Sequence, residues 1–152
     1  MSKHEEADLI LKLYELRREP TMRVARDWYF REFNPTSVGD VMATMFSEHS
    51  GHLRMVWSYW DMAAGLVNHG AISVDLFDET NGEHIGVFSK VEPLLAEIRQ
   101  ALAPQFLRNL EKLIDATPQG RERSSQMRER MKIIQQQMQQ QRAQAAASSR
   151  AD

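Results

Sequence analysis

Residues 52–68 read HLRMVWSYWDMAAGLVN, and this stretch decides the fold class. Its polar positions Arg54, Ser58, Asp61, Gly65 and Asn68 recur at spacings of 4, 3, 4 and 3. At ~100° per residue they fall within an arc of roughly 80° of a helix. Leu53, Met55, Val56, Trp57, Tyr59, Trp60, Met62, Ala63, Ala64, Leu66 and Val67 occupy the rest of the circumference. A helix apolar over most of its surface is stable only when neighbours surround it, so this segment is predicted to be the central helix of an all-α domain.

The flanking sequence supplies the neighbours. Upstream, Leu9, Leu13 and Leu16 with Ile10 form one helical stripe, and Pro20 ends it by forcing Glu19 out of the α region. Thr21 is expected to cap a second helix with Met22, Ala25, Trp28, Tyr29 and Phe33 on one face. Asn34-Pro35 breaks that helix, and Ser37 to Asp40 has the form of a capping box for a third.

Downstream, Gly70 stands where a left-handed residue closes the central helix. Ser73 is placed to cap a short helix, with Ile72 and Phe77 as a hydrophobic staple. From Glu83 to Leu102 a helical pattern carries Pro93, which removes an amide donor and predicts a kink or fresh start near Ser89. Pro104 suits the first position of another helix, with Phe106, Leu107, Leu110, Leu113 and Ile114 inward. No stretch alternates convincingly as a strand. The expected architecture is an all-α, irregular bundle of five to seven helices around the segment at about 52–68, residues 1–117 forming the helical domain.

Beyond Gly120 the composition changes. Met127, Met131, Ile134 and Met138 step by 4, 3 and 4, the spacing of a helix–helix seam about two heptads long. The stretch IIQQQMQQQRAQAAASSR that follows is Gln/Ala-rich; it favours helix, offers little to bury and is expected to fray. Residues 118–152 are therefore read as a basic helix and frayed tail. From Arg121 onward seven basic residues face three acidic ones, leaving +4 on the tail and −6 on the first 120 residues, which hold 12 basic against 18 acidic.

Composition removes whole classes of function. With no cysteine among 152 residues, disulfides, thiolate metal sites and cysteine nucleophiles are excluded. No apolar run approaches the ~18 residues of a membrane span, and MSKHEEADLI at the N-terminus is no signal peptide; a cytoplasmic protein is expected. Glu48, His49 and His52 lie close together, but a metal needs three or four ligands and Ser50-Gly51 intervenes, so no metal and no cofactor are expected. Neither a phosphate-cradling glycine loop nor a nucleophile elbow is present, and the chain is not read as an enzyme. The basic tail has no interleaved aromatics for base stacking, and nucleic acid is disfavoured. A helix-turn-helix over residues 37–72 would have too apolar a recognition helix.

Trp60-Asp61 in a helix, the run LVNHGAISVDLF and the proline-kinked VEPLLAEIR together resemble an uncharacterised bacterial family of small all-α proteins, a domain of unknown function. The resemblance covers roughly residues 52–115. It implies a helical fold and no known activity. Some members carry an N-terminal span that this chain lacks, and Asp61 stands where the family pattern suggests glutamate.

Two functions remain. In the first, the Met127, Met131, Ile134 and Met138 seam packs against a second copy or another protein's helix, methionine suiting an adaptable contact; docking on its own domain is equally open. In the second, Arg54 and Asp61, with Arg99 or Arg26 as the partner of Asp61, line a polar pocket beside the tryptophans that binds a small molecule.

Overall fold

Local stop and start signals divide the described residues into nine α-helices. A computed structural model describes residues 2–151: α1 (Lys3–Arg17), α2 (Pro20–Arg31), α3 (Val38–Met45), α4 (Ser50–Asn68), α5 (Val74–Thr80), α6 (Glu83–Val91), a 3-10 turn (Glu92–Leu94), α7 (Leu95–Ala101), α8 (Arg108–Ala116) and α9 (Gly120–Ala151). The fold is an irregular all-α bundle with α4 as its hub and a basic C-terminal helix. Eight α-helices precede α9, against five to seven expected. Taken as the one kinked helix that Pro93 implies, α6 and α7 bring the count to seven.

α4 packs against α2, α3, α5, α6 and α8, and its Leu53, Val56, Trp60, Ala63 and Ala64 are almost fully buried. The helix stops where Gly70 takes a φ of +83°. There the amide of Ala71 donates to Leu66 O and that of Gly70 to Val67 O, both at 2.9 Å, closing a Schellman motif. Ser73 then caps α5 through a bond from the Leu76 amide at 3.2 Å, and Ile72 and Phe77 meet in the core.

Several boundaries differ from expectation. Pro20, not Thr21, opens α2 as its first residue, and the Glu19 carboxylate accepts from the Met22 amide at 2.9 Å. Ser37 caps α3, but the Asp40 carboxylate turns back to Thr36 rather than completing the box on Ser37. The break imposed by Pro93 falls at Glu92–Leu94, after Ser89, which stays inside α6. Pro104 does not begin a helix: residues 103–107 form turns, and α8 starts at Arg108 behind Leu107, which holds φ +51° with its side chain in the core. The Gln/Ala-rich end, expected to fray, is helical to Ala151.

Candidate functional site

The polar stripe of α4 lies against the start of α8. Leu107 precedes α8 with a side chain that cannot cap, so the helix's first amides need an acceptor from elsewhere. Asp61 provides it: Oδ1 accepts from the Leu110 amide at 2.9 Å and Oδ2 from Asn109 Nδ2 at 3.3 Å. Asn68 Nδ2 donates to Asn109 O at 2.9 Å, and Gly65 leaves room for the Asn109 side chain. A carboxylate at a helix N-terminus also meets the positive end of the helix dipole. Two of the five polar positions, Asp61 and Asn68, thus hold one helix end in place.

The expected cationic partners of Asp61 are engaged elsewhere. Arg99 lies 3.0 Å from Glu111 and donates its Nε to Phe106 O at 2.9 Å. Arg26 forms a two-pronged pair with Glu83 at 2.7 and 2.8 Å. Arg54 is exposed, and its Nε reaches only Ser50 O, at 3.4 Å. Asp61 and Arg54 do border a groove of about 390 Å³ with Met45, Trp57, Leu102 and Phe106 among its walls. Its surface is mostly apolar, with Ser58 and Gln105 also on it, and Arg99 does not line it.

The methionine seam divides in two. Met127 packs against the core, its sulfur over Gly86, where a Cβ would come within 2.9 Å of Sδ and make the methionine shift. Met131 is half-buried, whereas Ile134 and Met138 are 47% and 38% exposed. The buried half of α9 is fastened by charge. Arg121 pairs with Asp115, Glu92 and Glu111 at 2.7–3.1 Å, Arg123 with Asp78 at 2.9 Å and Arg128 with Glu92 at 3.2 Å. Burial alone would raise the Glu92 carboxyl, but hydrogen bonds from Ser124, Arg121 and Arg128 more than offset it and hold the group below its ordinary range. Arg128 also donates to Ser89 O at 3.0 Å. That carbonyl lies four residues before Pro93, which has no amide to offer it.

A family model described as a domain of unknown function, DUF4760, matches residues 4–117. That is most of the chain. The protein belongs to this family. The DUF4760 match spans α1 to α8, reaching further upstream than the motifs at 52–115, and α9 lies outside it. Comparison with curated proteins and with solved structures returned no match.

Two buried polar side chains of this DUF4760 domain escape sequence reasoning, both on α6. Lys90 is 8% exposed and donates its ammonium to Tyr29 O, Phe30 O, Phe33 O and Asn34 Oδ1 at 2.8–3.1 Å, closing the C-terminal end of α2. Burial lowers its pKa to about 8. The available signal was a lysine just past the apolar run Ile85 to Phe88 and before Val91, where it must find acceptors in the interior. His84 is fully buried between Phe77 and Trp60, with ring centroids 4.9 and 5.8 Å away. Among the described residues neither of its ring nitrogens, nor Trp60 Nε1, has a hydrogen-bond partner, and burial lowers the imidazole to about 4.

The remaining histidines near α4 serve aromatic packing. His49 stacks on Trp28 at 5.0 Å, with His52 6.1 Å from the same ring. Among the described residues no group of three or more His, Asp or Glu side chains is placed to hold a metal, and no helix is long and apolar enough to cross a membrane.

Proposed function

We propose that this DUF4760 protein is an interaction or scaffold module that self-associates through the distal part of α9. One observation carries the reading. The face of α9 that docks on the body through Ser124, Met127 and Met131 continues through Ile134 to Met138, which stay 47% and 38% exposed. The projecting 16 residues, 136–151, extend about 24 Å at 1.5 Å per residue. Met138 on an otherwise Gln/Ala-rich arm, with Ile134 just before it, suits a helix-to-helix contact whose charge, with Arg142 and Arg150, is basic.

Light scattering on the full chain and on a chain ending at Gln135 tests this. Ending there keeps Arg121, Ser124 and Arg128 on α6, whereas removal from residue 121 would strip the body's own contacts. The expected result is an oligomeric full chain and a lighter truncated one with unchanged thermal unfolding of the body. Equal mass per chain in both rejects self-association. The small-molecule reading would then gain ground, supported by the apolar groove beside Trp57 and Phe106.

A further inference from the structure

A second cleft, of about 320 Å³, lies between the α2–α3 connection, the 3-10 turn and the docked half of α9. Lys90, Arg128 and Lys132 line it, and no carboxylate does. Lys90 is held by three carbonyls and the Asn34 amide oxygen, and no acidic side chain among the described residues pairs with it. Arg128 makes both of its bonds through Nη1, to Ser89 O and Glu92; among the described residues its Nε and Nη2 donate to nothing. Glu92 is shared with Arg121 and Ser124. Lys132 meets only Glu129, at 3.3 Å along the exposed surface of α9. Thr36, also on the cleft, commits its amide and hydroxyl to Asp40, which lines a neighbouring depression instead.

Three cations therefore face a cavity that no carboxylate lines, Glu92 and Glu129 meeting Arg128 and Lys132 from outside it, and a positive field in a recess attracts an anion more strongly than the same charges spread on a surface. Free guanidinium donors match oxyanions in geometry as well as charge. The other wall is apolar, from Pro35, Pro93, Leu94 and Met131. We propose that this cleft binds a small organic oxyanion with a short apolar body, its head group on Arg128 and Lys132 and its body against Leu94 and Met131. The site is formed by the docked half of α9 and does not depend on association through the distal half.

The test is amide NMR of the full chain titrated with hexyl phosphate, hexanoate and, as the neutral control, hexanol, at constant ionic strength. The Asn34 and Gln135 side-chain amides and the backbone amides of residues 128–135 report on the cleft. Saturable shifts there are expected with one or both anions, at least about tenfold tighter than with hexanol. The two anions distinguish a phosphate from a carboxylate site. Lys132 is exposed, so K132E should fold normally and weaken binding about tenfold, while K12E, the same charge reversal on α1, should leave it unchanged. Shifts that do not saturate, equal binding of hexanol, or equal losses in K132E and K12E would each overturn the proposal.

Discussion

α4 and α9 are the two longest helices, 19 and 32 residues, and their surroundings differ completely. α4 is enclosed along most of its apolar arc by five helices, and the start of α8 covers its polar stripe at Asp61 and Asn68, while Arg54 and Ser58 stay exposed. α9 is covered along one face and only as far as Gln135. A periodic pattern therefore shows that a face wants a neighbour but leaves open which neighbour comes. On α4 the polar residues found a helix end; on α9 the apolar ones found the body for two turns of the seam and then ran beyond it.

The sharpest way to break the enclosure of α4 is acid. His84 rests on Trp60 and stays neutral when folded down to about pH 4, while the unfolded chain takes up its proton near pH 6.5. Stability is thus intact above about pH 6.5 and falls as the pH drops toward 4, by about 2 kcal/mol at pH 5 and about 3 kcal/mol once both forms are protonated. Urea unfolding between pH 7 and pH 5, a window above the carboxylate range, should show this loss, and His84→Leu should flatten it. A flat profile for the unaltered protein would mean that the imidazole is solvated.

Next in size is the cap from α4 to α8. Asp61→Ala should cost about 1–2 kcal/mol in denaturant unfolding, whereas Asp61→Asn, which keeps an accepting oxygen, should cost less than half of that. Equal costs would point to charge rather than the hydrogen bond at Leu110. The smallest effect belongs to distal α9. Ile134→Ser with Met138→Ser should leave unfolding of the body within about 0.5 kcal/mol, while Met127→Ala, which empties the space over Gly86, should cost about 1–2 kcal/mol. Comparable losses from both would erase the distinction between the clamped and projecting halves.

Much of the fold was legible because its signals are local. Gly70, Ser73 and the Ile72–Phe77 staple each act within six residues of themselves, and the apolar circumference of residues 52–68 announces a hub whatever surrounds it. The site was less so, because its partners are distant in sequence. Asp61 meets Leu110 across 49 positions, and its role exists only because Leu107, anchored in the core, displaces the start of α8 from Pro104. Lys90 closes α2 from 57 to 61 residues away. In α9 the spacing of Met127 and Met131 revealed a buried face, but a seam of this kind fits the body and a foreign helix equally well until the contacts are seen.

Pro93 gives the molecule an unusual economy. By withholding one amide it leaves the Ser89 oxygen open, and Arg128 uses that oxygen to tether α9. A chain in which residue 93 could donate would let α6 run straight on, and its own backbone would then compete with Arg128 for the same atom. Regularity of the body and grip on the arm are thus set against each other at a single carbonyl, and the broken helix is the form that favours the grip.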